Sequence, residues 1–334
     1  MDEELQITRA EKADQNSAAA PKAIGVTVII PSFNHAAFVE QAIRSVWAQD
    51  YGNLELIVVD DCSTDATAEI VERMLSDAPI PMRLIRKTQN CGISNSLNRG
   101  IEMATGDWLA FLSSDDFFSS GRISRQIEVA TQVGEQYGCI HGDALQVDEF
   151  GKALGRINRA GPISPARGDV FDQLIQGTGR IITTTAMVRR NLAIDIGGFD
   201  EKFVAEDFDF YLRVSRRSLF LYLNEVLTNV RVSPKSLGRQ PWRWGEDIIS
   251  SIQKHTDVPG FDWSRILARR RTQIAASLFE HGSAGQIAKG LKQAFRASKE
   301  AGDIPYLFSQ LSKSAFRAVG YRAKKNLVRW VKRG

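Results

Sequence analysis

Between Gly25 and Gln146 the chain alternates short β-branched runs with longer amphipathic stretches, and this rhythm constrains the fold more than any other feature. Strands are expected at Val26–Pro31, Leu54–Asp60, Met82–Lys87, Trp108–Ser113 and Cys139–Val147. Helices are expected between them, near Ala36–Gln49, Thr64–Leu75, Ser94–Ala104 and Arg122–Glu135. Apolar strands separated by helical segments imply an α/β fold with a mixed, mostly parallel sheet flanked by helices. Ligands of such sheets bind beyond the carboxyl ends of the strands, so the residues that follow each strand carry the functional reading.

Beyond Gln146 the pattern weakens. Phe150–Gly179, rich in Gly, Pro and Arg, reads as a loop region. A strand is expected at Ile181–Val188, followed by Gly197, Gly198 and Phe199, an acidic patch, and a helix from about Asp207 to Ser215. After Gln240 the chain is helical and basic. It forms a hairpin of Trp263–Phe279 and Ala284–Ala297 broken at His281–Ser283, and a final helix beyond Asp303 and Pro305.

A chain of 334 residues that is 43% hydrophobic can bury a sizeable core. Its longest apolar runs fall far short of the roughly 20 residues of a membrane-spanning helix. The opening segment, with Asp2, Glu3 and Glu4, lacks the basic start and apolar middle of a signal peptide, and residues 1–24 are expected to be disordered. Cys62, Cys91 and Cys139 lie too far apart for a zinc knuckle and suit a reducing compartment. A cytoplasmic location is the expectation.

The first strand ends in Pro31, Ser32, Phe33 and Asn34, without the glycines of a dinucleotide fingerprint or a phosphate loop. Phe33 can offer a flat face to a nucleobase, or it can pack on the core as an ordinary loop aromatic. The second strand runs into Asp60, Asp61, Cys62, Ser63, Thr64 and Asp65. Ser63 or Thr64 can cap the next helix, which leaves Asp60 and Asp61 to accept hydrogen bonds from a base or ribose. Asn90–Gly92 shapes a turn, with Ser94 as helix cap. The strand Trp108–Leu112 delivers Ser113, Ser114, Asp115 and Asp116, an adjacent acid pair that either holds a divalent cation or sits at a helix start. Glu206, Asp207 and Asp209 suit the first turn of a helix on dipole grounds alone.

Together the blocks Val26–Asn34, Leu54–Asp65, Asn90–Gly100, Asp107–Asp116 and Gly198–Asp209 resemble, in order and spacing, the family 2 glycosyltransferases, over roughly Val26 to Gly238. The resemblance implies a GT-A, Rossmann-like fold with a C-terminal helical extension. Residues 25–240 would form the catalytic domain and 241–334 a basic helical region. It implies an inverting enzyme that moves a sugar from a UDP-, GDP- or TDP-sugar to a saccharide acceptor. Phe33 and Pro31 would flank the base, Asp61 would hold it, and Asp60 would support the ribose or its loop. Asp115 and Asp116 would hold Mg²⁺ or Mn²⁺ against the diphosphate, Asp116 being the more direct ligand. Asp207 would be the general base, with Glu206 bonding acceptor or donor hydroxyls.

Two departures from the family pattern stand out. Ser113 and Ser114 occupy the place of an extra Asp in many relatives, and Ser233 that of a histidine, so metal binding is expected to be weak and donor-dependent. Arg231, Lys235 and Arg239 are then candidates for the diphosphate. The departures also motivate a rival reading, a catalytically silent sugar-nucleotide or glycan-binding module. A sugar nucleotidyltransferase is disfavoured because its Gly-rich loop is missing. The stretch Lys313–Arg333 contains eight Lys or Arg and no acid. Its Leu327, Trp330 and Val331 suit either a basic amphipathic helix on an anionic inner-membrane surface, where a lipid-linked acceptor would lie, or a solvated helix folded onto the catalytic domain; no nucleic-acid partner is expected.

Overall fold

In the computed structural model of the protein, residues 6–10, 23–158, 163–232 and 240–314 are described. The expected alternation is present, as β2 (Val26–Ser32), α1 (Val39–Trp47), β3 (Leu54–Asp60), α2 (Thr67–Leu75), β4 (Met82–Arg86), α3 (Ile93–Met103) and β5 (Trp108–Phe111). Strands β4, β3, β2 and β5 are adjacent and parallel. Their residues are almost all buried, because helices cover both faces. Val28, Ile30, Leu56 and Val58 face α1 and α2. On the other face α3 lies so close to β2 that a Cβ on Gly100 would stand 2.4 Å from Ile29 Cγ2.

The sheet continues through β6 (Phe117–Phe118), β7 (Tyr137–Val147), β11 (Met187–Arg189) and β12 (Leu219–Arg231), with α4 (Arg122–Gln132) before β7. With β1 (Gln6–Ala10) its order is β1-β4-β3-β2-β5-β11-β7-β12-β6. β11 runs antiparallel to both β5 and β7, β12 runs parallel to β7, and β8 (Ala153–Arg156) hairpins back onto β7.

Several expectations are corrected. Within residues 1–24, expected to be disordered, Gln6–Ala10 is a strand paired antiparallel with β4. Phe150–Gly179 holds β8, β9 (Ser164–Pro165), α5 (Phe171–Gln176) and the start of β10 (Gly179–Arg180). The strand expected at Ile181–Val188 is reduced to β11, because Thr183–Thr185 coil into a 3₁₀ turn before it. Its polar groups are taken by side chains: the buried Arg122 guanidinium donates to the carbonyls of Thr184 (2.5 Å), Thr185 (3.1 Å) and Ala186 (3.4 Å) and to Thr228 Oγ1 (2.9 Å). The same guanidinium lies 4.0 Å from the centre of the Phe118 ring.

The chain forms two compact units. Among the described residues the second comprises 175–177, 203–212 and those from Gln240 onward, so two stretches of the catalytic domain expected at 25–240 fall in it. It holds most of α7 (Glu206–Ser215), together with α8 (Pro241–Gln253), α9 (Trp263–His281) and α10 (Ala284–Glu300). Within it Asp247 of α8 accepts from the backbone N–H groups of Val204 (2.6 Å) and Ala205 (3.2 Å), which fastens the turn that opens α7. Lys254 pairs with the buried Asp209 at 2.7 Å. No helix among the described residues is long and apolar enough to cross a membrane.

Replacing Arg122 by Leu strands several buried acceptors at once. Thermal unfolding is expected to show a loss of about 3 kcal/mol or more, a fall of roughly 6–12 °C in Tm. A Tm within a degree or so of wild type would show that the 3₁₀ turn holds without it.

Candidate active site

At the carboxyl ends of β2, β3 and β5 the chain makes three loops that hold one another. The loop after β2 exposes Phe33 (42% accessible) and then turns at Asn34, whose φ of 54° few residues other than glycine adopt readily. Ser63 Oγ accepts from Asn34 N–H at 3.0 Å, and Asn34 Oδ1 accepts from Thr64 N–H at 2.8 Å. Thr67 Oγ1 accepts from His35 N–H at 2.9 Å and Asp65 Oδ2 from Ala36 N–H at 3.1 Å. Cys62 also takes a positive φ, 62°, so both loops carry local backbone strain where they meet. His35 Nδ1 lies 2.7 Å from the buried Ser114 Oγ, which ties the loop after β2 to the acidic loop after β5.

Asp60 and Asp61 are both buried. Asp60 is occupied locally, by Ser63 N–H at 3.0 Å and Ser63 Oγ–H at 2.5 Å. Asp61 reaches across to the start of α3. Its Oδ1 accepts from Lys87 Nζ (2.6 Å) and Cys91 N–H (2.9 Å), and its Oδ2 from Gly92 N–H (2.8 Å). Gly92 has φ 90°, a conformation that turns its N–H toward that carboxylate at little cost for glycine alone. The side-chain caps expected from Ser63, Thr64 and Ser94 are not used: the first residues of α2 and α3 follow Ala66 and Gly92, and neither makes a side-chain cap. Asp61 instead holds the two amides of the turn that leads into α3.

The acid pair follows β5. Asp115 is half-buried and Asp116 is buried. β6 returns along β12, with Phe117 opposite Asn229, and this register brings Arg231 N–H to 2.8 Å from Asp116 Oδ1. Burial first, and then the neighbouring Asp115 charge, hold the Asp116 carboxyl well above the usual carboxylate range; Arg231 opposes both. Two adjacent carboxylates with one short of compensation are donor chemistry that a hard divalent cation satisfies. Among the described residues no group of three or more His, Cys, Asp or Glu converges, so ligand oxygens and water would have to complete the coordination.

Arg231 itself is not a free cation awaiting a diphosphate, which corrects the expectation. It is buried, and its guanidinium donates to the carbonyls of Asp115 (2.9 Å), Asp148 (3.0 Å) and Glu149 (2.7 Å) and to Gln41 Oε1 (2.8 Å). Its charge lies 4.5 Å from the Phe38 ring centre and 5.8 Å from that of Phe117. Ser233, Lys235, Arg239 and the basic segment from 315 onward lie outside the described residues.

In the second unit, Glu206 and Asp207 open α7, where the helix dipole favours negative charge. Glu206 is buried, and desolvation, with the charges of Asp207 and Asp247, pushes its carboxyl up to about 8. Asp207 Oδ1 accepts from Phe208 N–H at 2.7 Å. Lys87, Gln41, His35 and Asp247 support these sites without having been anticipated. None of them left a clear signal, and Lys87 follows a strand that already carries Arg83 and Arg86.

Comparison with known proteins agrees with this geometry. The model of glycosyl transferase family 2 matches residues 27–197. The succinoglycan biosynthesis protein ExoO of Rhizobium meliloti is 36% identical over 146 residues, 43% of this chain and 40% of that one. The GalNAc(5)-diNAcBac-PP-undecaprenol beta-1,3-glucosyltransferase of Campylobacter jejuni is 32% identical over 120 residues, 36% of this chain and 38% of that one. The matches therefore span less than half the length of these two relatives. Among solved structures, S. aureus TarS 1-349 in complex with UDP-GlcNAc superposes with a TM-score of 0.63 at 18% identity, covering 90% of this chain and 92% of that one. The mannosyltransferase PcManGT from Pyrobaculum calidifontis, in complex with GDP-Man and Mn²⁺, superposes with 0.54 at 19% identity, covering 91% and 90%. With a matched family model over half its length and a GT-A sheet that carries the acid pair at the end of β5, the chain belongs to the family 2 glycosyltransferases.

Proposed function

We propose that this glycosyltransferase moves a sugar from a nucleoside-diphosphate sugar to a saccharide acceptor with inversion at the anomeric carbon. The observation that carries the reading is the placement of Asp115 and Asp116 at the end of β5, beside the loops that present Phe33 and Asp60. Phe33 offers its exposed face to the base, with Pro31 beside it, and Asp60 and Asp61 stiffen the loop that borders it. Asp116, with Asp115, would hold Mg²⁺ or Mn²⁺, which would supply neutralisation of the leaving diphosphate. Asp207 takes the proton of the acceptor hydroxyl as that oxygen attacks the anomeric carbon. The bond from the anomeric carbon to the diphosphate oxygen breaks, and the nucleoside diphosphate leaves. Glu206, which keeps its proton at neutral pH, donates an O–H to a sugar hydroxyl.

The family names around this chain favour a surface-polysaccharide role, of O-antigen or capsule type. The C. jejuni relative acts, by its name, on an undecaprenol-linked saccharide, and the R. meliloti relative is named as a succinoglycan biosynthesis protein. A lipid-linked acceptor on the inner membrane face also suits the basic residues between Lys313 and Arg333, and in this reading the enzyme works in the cytoplasm, peripheral to that membrane.

Release of nucleoside diphosphate from UDP-, GDP- and TDP-sugars, with Mn²⁺ and a membrane extract carrying lipid-linked acceptors, tests the reading. Asp207→Asn is expected to lower turnover by about 10² to 10⁴-fold with donor affinity within a few-fold. Near-normal turnover would remove Asp207 from the mechanism. Asp116→Ala is expected to abolish the Mn²⁺-stimulated release; donor binding without turnover in every wild-type reaction would favour a silent module.

The raised Glu206 carboxyl has its own signature. Its contribution to stability is fully present below the ordinary value of 4.5 and is lost as pH rises through about 8. Between pH 5 and 8.5 the wild type should therefore lose, relative to Glu206→Gln, on the order of a few kcal/mol by urea unfolding. A pH-independent gap between the two would mean that Glu206 ionises normally.

A further inference from the structure

The second unit has an open-mouthed cavity of about 260 Å³ that none of the chemistry above uses. It lies within the three-helix arrangement of α8, α9 and α10, and its floor exists because two glycines let those helices close on one another. A Cβ on Gly245 would stand 2.6 Å from Ile274 Cγ2, and one on Gly290 would stand 2.6 Å from Leu278 Cδ1. The rim is polar and already organised: Glu246 accepts from Gln293 Nε2 at 2.9 Å and from Arg271 Nη1 at 3.4 Å, and Lys289 adds an ammonium. One wall is Trp242, which remains 42% exposed.

Each part of this lining narrows the ligand. An indole left open beside a cavity offers a broad apolar face. A wholly apolar ligand would cover it but would leave the rim groups desolvated and unpaired, which is costly. A phosphate group would suit Arg271 and Lys289 but would meet the Glu246 carboxylate. A sugar ring satisfies all three conditions. Its C–H face stacks on an aromatic ring, and its edge hydroxyls donate to a carboxylate and accept from guanidinium, ammonium and amide groups. The volume falls below the roughly 300–1,000 Å³ of drug-sized ligand pockets, which suits one ring.

We infer that this cavity is a saccharide-binding site in which one pyranose unit stacks on Trp242 and is held at its edge by Glu246, Arg271 and Gln293. It is distinct from the residues assigned to the donor and the base, and for a transferase acting on glycans it supplies a second hold on a saccharide chain. Only that last use rests on the proposed function; the cavity chemistry stands without it.

Saturation-transfer NMR on the full chain tests the site, with millimolar methyl β-D-glucopyranoside, methyl β-D-galactopyranoside, methyl α-D-mannopyranoside, N-acetylglucosamine and glucuronic acid as probes. At least one sugar is expected to receive saturation at its ring protons, with binding about tenfold weaker in Trp242→Ala and largely kept in Trp242→Phe and Asp207→Asn. Because the indole is partly exposed, neither Trp242 variant should lose its fold, which the melting curve checks. No saturation of any probe, or equal signals from wild type and Trp242→Ala, would overturn the assignment. UDP added to the same samples reports on the nucleotide loops. GDP and TDP are added in turn as well, and absence of all three nucleotide signals would count against the proposed function and leave the saccharide site standing.

Discussion

Two carboxylates side by side at the end of a buried strand are the constraint around which the first unit is organised. A carboxylate taken out of water needs compensation, and Asp116 receives one backbone N–H, from Arg231. The pairing of β6 with β12 and the anchoring of the Arg231 side chain on three carbonyls and Gln41 fix that N–H in place. Arg231 therefore acts on the acid pair mainly through its backbone and its packing. The arrangement leaves the Asp116 carboxylate undercompensated, and a cation beside it would favour its ionised form.

Rigidity at this end of the sheet comes from side chains bonded to backbone across loops. Asn34, Ser63, Thr64, Asp65, Thr67 and His35 join the loops after β2 and β3, and Ser114 joins the acidic loop to them. Asp61 does the same for the turn before α3. A nucleotide arriving there would meet loops already ordered, so little of its binding energy would go into fixing them.

The parallel strands were legible because each is a short, mostly apolar run set between helical segments, as a sheet covered by helices requires. The acid pair was legible because two adjacent carboxylates after such a run have few structural uses. What escaped depended on distant partners. Thr183–Thr185 read as strand by their β-branching, yet Arg122, more than fifty positions earlier, takes their carbonyls. β12 carries Asn224 and Glu225 and shifts register between Leu223 and Val226, so no alternation marked it. Arg231 looked like a phosphate ligand because charge is visible in sequence and commitment to carbonyls is not. The assignment of 203–212 to the second unit rests on contacts from Asp247 and Lys254, which no local pattern announces.

The two ends of the sheet carry a further consequence. One border is β1, laid antiparallel along β4, and the other is β6, only two residues long. An open, extended border is a template on which other chains can add strands. Here β4 is already paired by the protein's own leading segment, and β6 is too short to template anything. Residues 6–10 thus bear on colloidal behaviour: they move the open border of the sheet from β4 to β1, and a form lacking them would bare the backbone of β4 for strand addition.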